Sequence, residues 1–178
     1  RLGSRMLVVA GIADGAPSRV AHALSKGGRL VRGHGIEHLA VKASASATTV
    51  VEQVIAGNYD PDTYIPEEDR HAPLATLTIC GKGSDSDAKA GAVRGKWQSW
   101  CRDLVNAPAA DLYPETLAQE AIDKLGPLDR VSVEVWDFER CRKEGMVGII
   151  AVGQGSSRPG CLIHVKYRPE NPKDHVAF

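Results

Sequence analysis

The chain has 178 residues, 43% hydrophobic and 25% charged, with 22 basic and 22 acidic side chains. That is ordinary globular composition for one domain, or one domain plus part of another, and it argues against extended disorder. The cancelled charge excludes a global field for nucleic acid or an anionic membrane, and the longest apolar run, Val147–Val152, falls far short of the ~20 residues of a bilayer crossing.

The opening "RLGSRM" lacks the layout of a signal peptide, since no apolar core follows its arginines. It reads as a vector remnant before Met6 or as the edge of a fragment, so an N-terminal signal could have been lost. Leu7–Ile12 is a short β-like run. Ala16–Val31 has apolar residues at helical spacing, Val20, Leu24, Gly27 or Gly28, and Val31. Ile36–Val41 reads as a strand and Thr48–Ala56 as a short helix. Gly57–Pro73, with three prolines and many acids, reads as a loop. Leu74–Cys80 is a second strand. A long helix runs from Asp85 to Asn106, with Val93, Trp97, Trp100, Cys101 and Leu104 as its expected buried stripe. "NAPAADLYP" breaks it, and Pro114 suits the first position of the next helix, where its missing N–H costs nothing.

Leu117, Ala118, Ala121, Ile122 and Leu125 give that helix a buried face, and Gly126 and Pro127 stop it. Val131–Trp136 alternates as a strand. Phe138–Glu144 reads as a short helix with Glu139–Lys143 and Arg140–Glu144 pairs. Val147–Val152 is apolar throughout and reads as a covered central strand, with Cys161–Tyr167 as its neighbour. Strands alternating with helices give an α/β protein with covered sheets and a seam at Asn106–Pro114.

The candidate sites are weak one by one. "GIIAVGQGSSRPG", Gly148–Gly160, has Gly153 and Gly155 of a dinucleotide fingerprint, but Arg158 stands at the third glycine and a strand follows where a helix is needed. "CGKGSDSD", Cys80–Asp87, lies between strand and helix, and its Ser84 and Asp85 read as helix caps. Of His22, His34, His38, His71, His164 and His175, only His34 and His38 have metal-binding i, i+4 spacing, and Gly33 and Gly35 bracket His34. Asp60, Asp62, Glu67, Glu68 and Asp69 read as a solvated acidic loop, and Trp97 and Trp100 as core. Cys80, Cys101, Cys141 and Cys161 form no C-x-x-C pair and read as reduced thiols of a cytoplasmic protein. On residues alone, no catalytic, cofactor-binding or metal residue is assigned.

Two stretches carry a resemblance. "CRDLVNAPAADLYPETLAQEA", Cys101–Ala121, resembles a segment of the leucyl aminopeptidase (cytosol aminopeptidase) family through Arg102, Leu104, Val105, Asn106, Pro108, Leu112, Pro114, Glu115, Leu117 and Ala118. "EGMVGIIAVGQGSSRPGCLIHVKY", Glu144–Tyr167, resembles the family's G-M-G-x-x-x-x-V-G-x-G-S and the strand after it, through Gly145, Met146, Gly148, Val152, Gly153, Gly155 and Ser156. A weaker similarity adds Gly57, Tyr59 and Tyr64, with Pro61 where an aromatic is usual. Tyr113 departs from the family's Thr, a capping residue, and Asp111 is the candidate to compensate.

The resemblance implies a fold: residues 1–106 as the later part of an N-terminal macro-like α/β domain with a linker helix at 85–106, and 107–178 as the start of a truncated catalytic α/β domain. It implies that V-G-x-G-S links strands as scaffold. It also implies a parent enzyme that removes N-terminal residues from peptides with two divalent ions, Mn or Zn, as a hexamer. In the family, a strand like "KDHVAF" runs into the first metal-binding lysine and aspartate, so the resemblance places the metal and catalytic residues after Phe178 and implies that this chain alone is inactive. The alternatives are a macro-domain-like module for ADP-ribose or DNA, which the neutral charge does not favour, and a structural fragment whose only role is to pack.

Overall fold

The computed structural model describes residues 15–81 and 83–177. The expected strand at Leu7–Ile12 lies outside the described residues, as do Lys82 and Phe178. The chain divides into two compact units, Arg1–Asn106 and Ala107–Phe178.

The first unit runs α1 (Pro17–Gly33), β1 (His38–Val41), α2 (Ala47–Asn58), β2 (Thr76–Ile79) and α3 (Asp85–Asn106), with 3-10 turns at Asp62–Tyr64 and Glu67–Asp69. Pro17 opens α1, where the lost N–H is harmless. Gly35, at φ 61°, turns the chain after α1 in a conformation that glycine adopts without penalty. Ser46 Oγ accepts from Thr49 N–H at 3.1 Å and caps α2. Strands β1 and β2 pair in parallel, His38 opposite Thr76 and Val41 opposite Ile79. Their residues alternate between half-buried and exposed, so among the described residues this pair is not the fully covered sheet expected from the sequence.

The core of this unit lies where α2 packs between two neighbours. Val50 and Val54 are buried with Val20 and Val31 of α1. Glycines let the backbones approach. A Cβ at Gly57 would fall 1.8 Å from Ser25 O, and one at Gly28 would fall 2.5 Å from Val54 O. On the other side, a Cβ at Gly91 of α3 would lie 2.5 Å from Thr48 O, and one at Gly95 would lie 2.9 Å from the Ile55 side chain. The buried residues of α3 are therefore Gly91 and Gly95. This corrects the expected stripe: Val93 is 55% exposed and Cys101 is exposed, while Trp97 and Trp100 are half-buried. Close backbone contact at glycine decides the orientation of α3, a gain that hydrophobic periodicity does not register.

The second unit runs α4 (Pro114–Leu125), β3 (Val131–Trp136), α5 (Phe138–Lys143), α6 (Val147–Gly153) and β4 (Leu162–Tyr167). Ala118 and Ala121 form the buried face of α4. The capping question at Tyr113 resolves through Thr116, whose hydroxyl accepts from Tyr113 N–H at 2.9 Å and donates to Asp111 O at 2.8 Å. Asp111 thus takes part through its backbone carbonyl.

Val147–Val152 is helical, not a central strand. The run is too short for periodicity to separate the two forms. Gly145, at φ 70°, reverses the chain after α5, and Met146 N–H bonds Cys141 O at 2.9 Å. The chain then re-enters a helix, which satisfies its own backbone. Val147 and Val152 are 74% and 87% exposed, so the run is not covered on all sides. The neighbour of β4 is consequently β3, antiparallel, with Val131 opposite Tyr167 and Trp136 opposite Leu162. The expected ion pairs on α5 are also replaced: Arg140 meets Glu134 at 2.8 Å and Arg142 meets Glu139 at 3.5 Å.

The glycine contacts predict opposite outcomes for the same substitution. Gly57→Ala is expected to lower stability by about 1–3 kcal/mol or more, because the new methyl would run into the backbone of Ser25, with Ser25 O 1.8 Å away. Gly27→Ala, with nothing within 4 Å of its Cβ, is expected to raise stability by about 0.4–1 kcal/mol. Urea denaturation of the two variants measures both signs.

Candidate functional site

The first unit gathers its polar side chains at the C-terminal end of α2. Arg32 is 6% exposed and Asn58 is 8% exposed. Arg32 Nη1 donates to Asn58 O at 2.8 Å, and Nη2 donates to both carboxylate oxygens of Asp62, Oδ1 at 2.6 Å. Asp60 Oδ2 lies 3.6 Å from Arg32 Nε. Asn58 Nδ2 donates to Gly28 O at 3.3 Å, and Asn58 Oδ1 accepts from Leu74 N–H at 2.9 Å. The acidic run is therefore not uniformly solvated. Asp60 and Asp62 fold back onto a buried guanidinium, while Glu67, Glu68 and Asp69 remain exposed. Sequence reading missed Arg32 and Asn58. The only signal was Arg32 directly after the buried Val31, on the inward side of an amphipathic helix.

Tyr59 follows Asn58. The Arg102 guanidinium carbon lies 3.9 Å from the centre of its ring, and Arg102 Nη1 donates to Ala56 O at 2.7 Å. Asn106 Nδ2 donates to Tyr59 Oη at 3.0 Å. Partial burial holds the Tyr59 phenol above its ordinary value. The Asn106 hydrogen bond opposes that, while the Asp103 carboxylate adds to it. These groups border a cleft of about 550 Å³ lined by Asn58, Tyr59, Asp60, Asp62 and Asp103 among others.

In the second unit the glycine loop is bound to the segment before α4. Arg158 Nη1 donates to Ala109 O at 2.7 Å, and its guanidinium carbon lies 4.1 Å from the Tyr113 ring centre. Cys161 Sγ lies 3.3 Å from Pro114 O. A Cβ at Gly153 would lie 2.9 Å from Phe138 Cε2. The loop joins α6 to β4, where a strand-to-strand link was expected, and it presents no row of N–H groups at a following helix.

The other candidates disperse. His34 caps the end of α1 and His38 starts β1, so they share no helical face. Among the described residues, no three His, Cys, Asp or Glu side chains gather to hold a metal ion. At the second glycine loop, Asp87 N–H donates to Ser84 Oγ and Ser84 N–H donates to Asp87 Oδ2, both at 3.2 Å, a reciprocal cap of α3. Trp97 and Trp100 meet edge-to-face, 5.5 Å between ring centres.

The residues that carried the resemblance thus meet in space. Tyr59 touches Arg102 and Asn106, and the loop of the second motif is tied to Ala109, Tyr113 and Pro114 of the first. The catalytic domain of the cytosol aminopeptidase family, as a sequence profile, matches residues 99–178. The chain belongs to the cytosol aminopeptidase family. It is 38% identical over 137 residues to a probable cytosol aminopeptidase of Persephonella marina, covering 74% of this chain and 27% of that protein. It is 33% identical over 193 residues to another from Clavibacter michiganensis, covering 98% of this chain and 37% of that protein. The chain therefore spans about a third of the length of these curated relatives.

Among solved structures, tomato leucine aminopeptidase, as a point mutant, matches with a TM-score of 0.73 at 20% identity, over 92% of this chain and 35% of that one. The bottromycin maturation enzyme BotP in complex with Mn matches with a TM-score of 0.70 at 24% identity, over 91% and 35%. These two likenesses speak to the fold.

Two measurements test the first-unit cluster. Arg32→Ala is expected to cost about 2–4 kcal/mol, less than a fully buried pair because Asp62 keeps some solvent; denaturant melts read it. Tyr59 is expected to resist deprotonation. An unfolded tyrosine loses its proton near pH ~10 and the folded one higher, so this contribution is fully present below ~10 and is lost as the pH rises through the folded value. Phenolate absorbance should show a late-titrating component in the folded chain that is lost in Tyr59→Phe.

Proposed function

We propose that the protein carrying this chain is an aminopeptidase that removes N-terminal residues from peptides. The observation that carries this reading is the match of residues 99–178 to the family's catalytic domain, reinforced by the meeting of its motif residues in the fold. The relatives' printed names point the same way. We further propose two divalent ions as its cofactors, Mn or Zn, for which the Mn complex of BotP is the supporting parallel. When bound, such a pair activates a water and polarises the scissile carbonyl. The described residues of this chain do not fit a metal site, so no step of the reaction is assigned to them.

The proposed part of this chain is scaffold: residues 1–106 as the N-terminal α/β domain with its linker helix, and 107–178 as the start of the catalytic domain, without catalytic, cofactor or metal residues. Arg158 and Cys161 hold β4 against the segment 109–114, which gives the strand a defined starting point. A cytoplasmic homo-oligomer, a hexamer, completes the proposal; among the described residues no helix is long and apolar enough to cross a membrane. No observation favours the nucleotide- or DNA-binding alternative.

The full-length gene product should hydrolyse a leucyl anilide, lose that activity to a chelator and regain it with Mn or Zn. The 178-residue polypeptide alone should show no turnover under the same conditions. Chelator-resistant cleavage by the full-length protein would refute the metal assignment, and cleavage by the short chain would show that its residues include a catalytic set.

A further inference from the structure

Residues 60–73 run from the end of α2 towards β2 with almost no packing of their own. None of them is buried; Asp60, Pro61, Asp62 and Ile65 are half-buried and the rest are exposed. Short-range bonds shape the segment: Ile65 N–H to Asp62 O at 3.1 Å, Arg70 N–H to Glu67 O at 3.2 Å, and Arg70 Nε to Ile65 O at 2.7 Å. Two polar ties hold it to the helices. At its start, the Asp62 carboxylate takes the Arg32 guanidinium, with Asp60 alongside. Just past its end, Leu74 N–H donates to Asn58 Oδ1 at 2.9 Å. Both ties meet at Asn58, because Asn58 O accepts from Arg32 Nη1 at 2.8 Å. Beyond Leu74 the chain is firm again, with Ala75 and Thr76 N–H both on Glu37 O. A surface loop whose ends are bonded together, with little burial and few ties, sits at the low-stability end of a fold. This one also walls the cleft of about 550 Å³, through Asp62, Thr63 and Pro73, while Val51, Ile55 and Leu77 line it from α2 and β2.

We propose that residues 60–73 are a strap that opens as one unit, with Arg32 as its latch. The guanidinium grips the strap through Asp62 and the end of α2 through Asn58 O, so its release frees the first tie and loosens the residue that makes the second. Opening takes the strap's wall off the cleft and admits solvent or a small molecule to its apolar side, while the helices that pack at Gly28, Gly57, Gly91 and Gly95 stay in place. The strap lies wholly within the first unit, and its behaviour is independent of the reaction that the parent protein catalyses.

The test is hydrogen exchange on the full-length protein, read by mass spectrometry where exchange reports the opening equilibrium. Ile65 and Leu74 N–H are the reporters at the two ends of the strap, and Val54 N–H, in the buried centre of α2, reports global unfolding. In the wild type the two reporters should share one level of protection, well below that of Val54. Arg32→Met keeps much of the side-chain volume and strands no buried charge, since the Asp60 and Asp62 side chains are 36% and 35% exposed and can hydrate. It should speed exchange at Ile65 and Leu74 by the same factor, about ten- to a hundredfold, and Arg32→Lys, which keeps the charge without the fork, should fall between. Val50→Ala, a cavity in the core, should speed Val54 and leave both reporters at wild-type rates, because the core stays intact when only the strap opens. Faster exchange at Ile65 with Leu74 unchanged in Arg32→Met overturns the single unit, and unchanged exchange at both overturns the latch. Reporters that follow Val54 in Val50→Ala show global unfolding alone and overturn the strap. If Arg32→Met does not fold, the wild type decides: unequal protection at Ile65 and Leu74, or protection at both equal to that of Val54, overturns the proposal.

Discussion

The close approach of α2 to its two neighbouring helices is the contact on which the first unit depends. Gly28 and Gly57 remove the side chains that would keep α1 and α2 apart, and Gly91 and Gly95 do the same between α2 and α3. Everything polar at the end of α2 follows from that distance. Asn58 reaches Gly28 O only because the helices nearly touch there, and the same closeness lets Arg32 bond Asn58 O from the adjoining turn of α1. A buried guanidinium would be costly alone. It is tolerated because its donors meet Asn58 O and the Asp62 carboxylate, which the loop after α2 brings back over it.

On the other side of α2, the glycine face of α3 directs Arg102 at Ala56 O and Tyr59. Helix α3 is thus oriented by its smallest residues and fastened by its polar ones. Its apolar residues, Val93 and Val105, are left largely exposed. In the second unit the same division recurs on a smaller scale. Gly153 and Gly160 allow α6 and the start of β4 to meet, and Arg158 fixes the loop between them with one hydrogen bond and one ring contact. A loop whose glycines resemble a phosphate cradle is thereby explained by packing. Its arginine, which spoils the fingerprint, is the residue that anchors it.

Much of this was legible in the sequence, and the exceptions have specific causes. Amphipathic spacing located α1, α2 and α4, and alternation located β3 and β4, because those patterns reflect local geometry and one buried face. Proline at Pro114 and serine at Ser84 marked helix starts, since capping depends on neighbours in the chain. The run Val147–Val152 was misread as a strand because so short an apolar run fits either form. The stripe of α3 was misread because burial was sought among large apolar residues, whereas the contact belongs to glycine. The family itself was legible through two motifs in register, and the structure supplies the reason for several of their residues: Arg102 and Asn106 serve Tyr59, and Gly145 serves the reversal after α5.

By itself the sequence determined where most helices and strands form, how they are capped, and to which family the chain belongs, because these depend on residues near one another in the chain or on a linear pattern. Tertiary structure decided the rest: which face of α3 packs, that β4 pairs with β3, that Arg32 is buried against Asp62, and that Tyr59 joins Arg102 to Asn106. Each of these joins residues distant in sequence, 30 apart for Arg32 and Asp62 and 47 apart for Tyr59 and Asn106. Such pairings follow from the distance between packed backbones, which no local pattern of side chains records.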